Sequence, residues 1–157
     1  MFKACTEGTE NRFFELGEGL ALIPEVTRYV IECGATALGS PKVYYVAKCF
    51  RNETTTDATR LREFTQIGVE LLGDNALDCR KVVRKDAIRL LGDLLPAGSW
   101  KLDDGIERGL NLYDASGKAF EASLVDGGRQ LLGGGPYEGG AGWAIGLERI
   151  MAALSDA

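Results

Sequence analysis

Arg60-Leu61-Arg62-Glu63-Phe64-Thr65-Gln66-Ile67-Gly68-Val69-Glu70-Leu71-Leu72 carries the clearest structural pattern in the chain. Side chains alternate across a β-strand with period two. A strand over about 62–72 therefore puts Thr65, Ile67, Val69 and Leu71 on one face and Arg62, Phe64, Gln66, Gly68 and Glu70 on the other. The first face suits a core. On the second, a glutamine and a glutamate flanking a glycine pack poorly against apolar neighbours but make a good floor for a polar ligand.

The neighbouring segments extend this sheet. Val43–Phe50 is rich in β-branched and aromatic residues and reads as a strand. It is joined to 62–72 by the polar loop Thr54-Thr55-Thr56-Asp57-Ala58-Thr59. Further upstream, the apolar run Phe13–Ile23 follows the polar turn Glu7-Gly8-Thr9-Glu10-Asn11 and reads as the second arm of a hairpin. Pro24 opens a helix on which Val26, Tyr29, Val30, Cys33 and Ala37 recur at helical spacing, until Gly39-Ser40-Pro41 stops it. Downstream, the pairs Val82/Val83, Ala87/Ile88, Leu90/Leu91 and Leu94/Leu95 mark an amphipathic helix from Asp78 to Leu95, ended by Pro96 and Gly98. Ile106–Tyr113 and Lys118–Val125 flank Asp114-Ala115-Ser116-Gly117, a hairpin signal. Glycines crowd between Gly127 and Gly142, and Trp143–Leu154 passes from strand through Gly146 into a final helix. Antiparallel strands with helices segregated around them predict an α+β fold.

At 157 residues the chain predicts one domain, residues 1–157, large enough to bury a core without disulfide or metal staples. Cys5, Cys33, Cys49 and Cys79 form no C-x-x-C pair and read as small buried residues of a reducing compartment. Histidine is absent, which excludes Ser-His and Cys-His nucleophiles and His-ligated zinc, and no protein-built metal site is expected. A net charge of −5 argues against a free-standing nucleic-acid binder. With no basic-then-apolar leader and no long apolar run, a soluble, cytoplasmic protein without membrane association is expected.

Charged and aromatic residues concentrate at three places. Arg51 and Arg60 stand at the two ends of the 54–59 loop, where their planar forks could close on a polyphosphate from two sides. Phe64 offers a face on which a base can stack. Gly142-Trp143-Ala144-Ile145-Gly146-Leu147-Glu148-Arg149 brings a fixed positive charge to a strand-to-helix turn, where glycine permits close backbone approach. Glu107-Arg108-Gly109-Leu110-Asn111-Leu112-Tyr113 is the third, with Gly127-Gly128-Arg129 downstream. Gly133-Gly134-Gly135 and Gly139-Gly140 lack the spacing of a dinucleotide loop.

In this order the clusters resemble the signatures of class II aminoacyl-tRNA synthetases. Phe50-Arg51-x-Glu53 through Glu70 is similar to motif 2, and Gly142 to Arg149, as G-x-x-x-G-L-E-R, is similar to motif 3. Arg60-x-Arg62-x-Phe64-x-Gln66-x-Gly68-Val69-Glu70, Arg108-Gly109-Leu110-x-x-Tyr113, Phe120-Glu121, Gly127-Gly128-Arg129 and Leu22-x-Pro24-Glu25-x-Thr27 resemble the histidyl-tRNA synthetase branch. The likeness runs to about residue 154 and implies an antiparallel catalytic core flanked by helices. It implies an ATP site in which Arg51 holds the α-phosphate, Glu53 the adenine edge, Arg60 the outer phosphates, Phe64 one adenine face and Arg149 the γ-phosphate. Glu25, Thr27 and Gln66 would hold an amino acid's ammonium group, Glu70 and Tyr113 an imidazole ring, and Arg108 would act beside the α-phosphate.

The expected activity is formation of an aminoacyl-adenylate from ATP with Mg²⁺, histidine being the first candidate. The alternative is a non-catalytic paralogue that senses histidine, like the regulatory subunit of ATP phosphoribosyltransferase. tRNA is a possible acceptor that the charge does not support. Where the branch continues Gly-Gly-Arg with Tyr-Asp-Gly, this chain has Gln130-Leu131-Leu132, so part of the amino-acid pocket is expected to differ. The chain is expected to lack the family's dimer-building helix, and Phe13–Ile23 is expected to seek cover in a homodimer or against a heteromeric partner.

Overall fold

The computed structural model describes residues 13–57, 60–106 and 118–155. In chain order they form β1 (Glu15–Gly17), β2 (Leu20–Ala21), α1 (Thr27–Leu38), β3 (Lys42–Phe50), β4 (Glu63–Leu72), α2 (Ala76–Leu94), β5 (Trp100–Ile106), β6 (Ala119–Leu124), β7 (Gln130–Tyr137), β8 (Gly140–Gly146) and α3 (Leu147–Ser155). Six strands make one sheet in the order β3-β4-β8-β7-β6-β5, antiparallel at every junction. The expected α+β architecture is the observed one.

The alternation in β4 sets the two faces of this sheet. On one, Val46, Ile67, Ile145, Leu132, Ala122 and Leu102 stand in a row across all six strands. α2 covers that face with Cys79, Val83, Ala87 and Leu91, spaced four apart on one side of the helix. Asn75 caps its N-terminus, the side-chain oxygen accepting the Asp78 N–H at 3.2 Å. Ile150 and Ala153 of α3 join the same core. On the other face the next row runs Tyr45, Gly68, Ala144, Gly133, Glu121 and Asp103. Near the β3 edge α1 covers it, packing Val26 and Val30 against Cys49, Val43, Tyr45 and Ala47. The remainder of that face is poor in bulky side chains, which opens it to a ligand.

Glycine content hides β7 and the first half of β8 from a propensity reading, because glycine is depleted in strands. Two of these positions leave no room for anything larger. A Cβ on Gly134 would lie 2.5 Å from the Gly142 carbonyl oxygen and 2.6 Å from the Phe120 ring. A Cβ on Gly142 would overlap the Glu70 carboxylate.

Two readings are corrected. Of the strand expected at Ile106–Tyr113, only Ile106 lies among the described residues. Trp100–Ile106, not read as a strand from sequence, is one, and pairs with β6 from Trp100↔Leu124 to Ile106↔Ala119. Its acidic residues concealed it: Trp100 and Leu102 pack on the core, Asp103 pairs outward with Lys101 at 2.9 Å, and Asp104 receives Arg80 and Arg84 from α2. Residues 107–117, with Arg108, Tyr113 and the expected turn at 114–117, lie outside the described residues, as do Cys5, the turn at 7–11 and loop residues 58–59. The second correction concerns Phe13–Ile23, which is not one hairpin arm but a ribbon of its own. It turns through Gly17, Glu18 and Gly19, all at positive φ (88°, 52° and 76°). Phe13 is buried, while Leu16 and Leu20 are 62% and 58% exposed.

Pro24 precedes the first turn of α1 rather than sitting in it. Cys49 and Cys79 are buried and Cys33 is half-buried, all as free thiols. Among the described residues no helix is long and apolar enough to cross a membrane.

Candidate functional site

An open cleft lies on the small-residue face of the sheet. The lead-in to α1 contributes Glu25 and Thr27, and the β3–β4 connection contributes Arg51, Glu53, Arg60 and Leu61. β4 supplies Phe64 and Gln66, and α3 supplies Glu148 and Arg149. Gln130 and the small residues Gly133, Ala144 and Gly146 complete the wall from β7 and β8. The segments resembling motifs 2 and 3, some 80 residues apart in the chain, meet because β4 pairs with β8, with Gln66 opposite Gly146.

Each cation is held differently. Arg51 donates from Nε to the Pro24 carbonyl oxygen at 3.2 Å, and its guanidinium lies 4.8 Å from the centroid of the Phe64 ring. Such a cation–π contact orients the fork without neutralising it. The Arg51 backbone N–H donates to the Arg62 carbonyl at 2.8 Å and closes the neck of the loop. Arg60 is borne by that loop, donating from Nη1 to Thr55 Oγ1 at 3.2 Å. Arg149 donates from Nη1 to Gln130, at 3.1 Å to the backbone oxygen and 3.3 Å to Oε1. Burial lowers the Arg149 pKa, Glu121 draws it back up, and the neighbouring positive charge of Arg60 lowers it again. Arg60 and Arg149 thus repel each other across the cavity, and an anion between them relieves that repulsion.

Glu148 plays a part that sequence reasoning missed. Pairing of β4 with β8 ends at Gln66↔Gly146. The Thr65 N–H just beyond donates instead to both carboxylate oxygens of Glu148, at 2.8 and 2.9 Å. The first turn of α3, and with it Arg149, is thereby tied to the strand that carries Phe64. Nothing in residue spacing announces this; only the position of Glu148 beside Arg149 hints at it.

The floor expected along β4 is only partly open. Phe64 and Gln66 line the cavity, but the Tyr45 ring lies over Gly68, where any Cβ would collide with it. Glu70 lies beyond, fully buried and off the cavity wall. The Tyr137 hydroxyl donates to Glu70 Oε2 at 2.9 Å. Burial pushes the Glu70 carboxyl up to about 7, the hydroxyls of Thr27, Tyr137 and Tyr45 opposing it and Glu25 reinforcing it. Thr27 is buried, its Oγ1 3.2 Å from the Tyr45 hydroxyl. Gln66 turns its Oε1 to the Val26 N–H at 3.0 Å and the Cys49 thiol at 3.5 Å, so that oxygen holds the α1 lead-in. Glu25 accepts the Arg28 N–H at 3.4 Å. Gly127 and Gly128 form the exposed β6–β7 turn at positive φ (84° and 63°). Gln130, which follows, stands beside Arg149.

Among the described residues no three His, Cys, Asp or Glu side chains converge as a metal site. Mg²⁺ that travels with a nucleotide needs only one or two carboxylates besides the phosphates. The cavity wall carries carboxylates, Glu25, Glu53 and Glu148, so the lining meets that requirement.

Comparison with solved structures places the architecture. Pyrrolysyl-tRNA synthetase PylSc of Desulfitobacterium hafniense superimposes with a TM-score of 0.70 at 20% identity, over 98% of this chain and 56% of that one. Apo histidyl-tRNA synthetase of S. aureus gives 0.68 at 21%, over 96% and 57%. Prolyl-tRNA synthetase of Giardia lamblia, in complex with prolyl-adenylate, gives 0.67 at 16%, over 94% and 37%.

The fold is that of a class II aminoacyl-tRNA synthetase catalytic core.

Sequence relatives of this class II core diverge in function. The ATP phosphoribosyltransferase regulatory subunit of Caldanaerobacter subterraneus subsp. tengcongensis is 42% identical over 73 residues, 44% of this chain. The histidine–tRNA ligase of Micrococcus luteus is 36% identical over 99 residues, 57% of this chain. The matches span 19% and 21% of those two proteins, about a fifth of each. No family model matches the chain.

Proposed function

We propose that this class II core binds ATP and joins its α-phosphate to the carboxylate of an amino acid, with histidine as the first candidate. The observation that supports this best is the meeting of Arg51, Arg60 and Arg149 around one cavity, with Phe64 beside Arg51. In the proposed reaction a carboxylate oxygen attacks the α-phosphorus, an O–P bond forms, and the bond to pyrophosphate breaks in line. No proton is transferred, so a chain without histidine can carry out the step. Rate enhancement then rests on positioning and on stabilising charge that spreads over phosphate oxygens.

In this reading Arg51 and Arg108 serve the α-phosphate, Arg60 and Arg149 the outer phosphates, and Glu53 and Phe64 the adenine edge and face. Mg²⁺, when bound with the nucleotide, would further neutralise the phosphates. Glu25, Thr27 and Gln66 serve the ammonium group, Gln66 only if its oxygen gives up Val26 or Cys49. Glu70 and Tyr113 serve the ring. The decisive experiment is amino-acid-dependent ATP–pyrophosphate exchange with each of the twenty amino acids. Exchange with histidine above all others is expected.

A sensor is the second reading, favoured by the 42% identity to a regulatory subunit and by the commitment of the Gln66 oxygen to Val26 and Cys49. Calorimetric binding of histidine by a folded sample that exchanges with no amino acid would establish it. Either reading is compatible with a reducing cytoplasm, the three described cysteines being free. tRNA, if it is the acceptor, would meet an acidic chain of net charge −5.

A partner is proposed as well, a second copy or a heteromeric subunit seated on the ribbon, where Leu16, Leu20 and Ile23 are 62%, 58% and 37% exposed. Sedimentation equilibrium at micromolar concentration should show a two-fold dimer or, with the partner present, a mixed complex. A single 16.9 kDa species at all concentrations would exclude the homodimer.

A further inference from the structure

We propose that Gln130 and Glu121 are positioning residues that preset the Arg149 guanidinium for a phosphate beyond the α-position. The proposal rests on the nucleotide reading above and assigns the set-up of its outer-phosphate end.

Gln130 opens β7, beside β6, and Glu121 lies on β6 opposite Gly133. The two polar ends of the Gln130 amide have different partners. Its Oε1 accepts from Arg149 Nη1 at 3.3 Å, and its Nε2 donates to Glu121 Oε2 at 2.7 Å. One orientation of the amide satisfies both contacts; a flip would put an NH₂ against a cation and an oxygen against a carboxylate. Glu121 thus fixes the amide, and the amide together with the Gln130 backbone oxygen fixes Nη1 of Arg149.

A neutral amide in this position differs from a direct ion pair. A carboxylate on the guanidinium would compete with phosphate for its charge and its hydrogen bonds. The glutamine orders the side chain through a neutral group. Arginine carries large rotamer entropy, and a side chain ordered before binding gives up less of it when the ligand arrives. The same two contacts explain why Gln130 stands on the cavity wall rather than a small residue like its neighbours Gly133 and Ala144.

The test is calorimetric titration with ATP and, separately, with AMP, for wild type, Gln130→Met, Glu121→Ala and Glu121→Gln. Methionine keeps the length and volume of glutamine without either hydrogen bond. About tenfold weaker ATP binding with AMP binding unchanged is expected for Gln130→Met. Glu121→Ala should lose several-fold for ATP alone, and Glu121→Gln, whose amide oxygen can still receive Nε2, should recover most of it. Wild-type ATP affinity in Gln130→Met, or equal losses for ATP and AMP in both Gln130→Met and Glu121→Ala, would overturn the proposal while the nucleotide reading stands. A wild type that binds neither nucleotide would overturn the nucleotide reading, and this assignment with it.

Discussion

Arg51→Ala is expected to lower amino-acid-dependent ATP–pyrophosphate exchange by about 10²–10³ while the protein remains folded. The side chain donates to the Pro24 carbonyl, lies against the Phe64 ring and is half-buried. Losing these two contacts costs on the order of 1–2 kcal/mol of stability. The loss in rate is larger because the cation acts on charge that grows as the α-phosphorus becomes five-coordinate, where a fixed donor contributes about 3–4 kcal/mol. Arg51→Lys should recover little, since an ammonium supplies neither the planar stack on Phe64 nor the paired donors. Initial exchange rates at saturating ATP, read beside thermal melts of the same samples, separate the two effects. Exchange within threefold of wild type would remove Arg51 from the reacting phosphate.

What could be read from sequence and what could not divides on physical lines. The two faces of β4 were visible because alternation survives in a strand that has core on one side and a site on the other. α2 was visible for the same reason at helical period: its apolar pairs recur on one side, and Cys79, Val83, Ala87 and Leu91 are the buried set. The passage through Gly146 into α3 was visible too. β7 and the first half of β8 were not, because their glycines answer to steric demands from across the sheet rather than to strand propensity. Gly134 is set by the Gly142 backbone and Phe120, and Gly142 by Glu70. β5 was not visible because Asp103 and Asp104 look like loop residues until their partners Lys101, Arg80 and Arg84 are known.

At the site, eight residues named from sequence line one cavity: Glu25, Thr27, Arg51, Glu53, Arg60, Phe64, Gln66 and Arg149. Their convergence was inferred from motif order alone. The contacts that hold the site together, Glu148 on Thr65 and Gln130 on Arg149, join residues 83 and 19 positions apart. They depend on backbone register, which residue types alone do not disclose.

Glu70→Gln should stabilise the protein at pH 8 and do so far less at pH 5. An unfolded glutamate titrates near 4.3, whereas burial pushes the folded Glu70 carboxyl up to about 7. Between those values the folded state holds a proton that the unfolded state has released, so wild-type stability falls as pH rises through this window. Below about pH 4 both states are protonated and nothing is lost. Above about pH 7 both are ionised, and the full difference, about 3–4 kcal/mol, weighs against the folded state. Three hydroxyls, from Thr27, Tyr137 and Tyr45, already temper the cost of the buried charge. Glutamine keeps the shape and can still accept from Tyr137, but it never ionises, so its advantage should appear only where glutamate is charged. Urea unfolding of both proteins at pH 5, 6, 7 and 8 should give a stability difference that grows along the series towards that limit. A constant difference across the four values would show that Glu70 titrates normally in the folded protein. Histidine titrations of the same pair at pH 8 complete the argument. If Glu70 grips an imidazole ring, Glu70→Gln should bind histidine much more weakly while ATP affinity is kept. A loss shared equally by both ligands would instead make Glu70 a buried strut, with no part in choosing the amino acid.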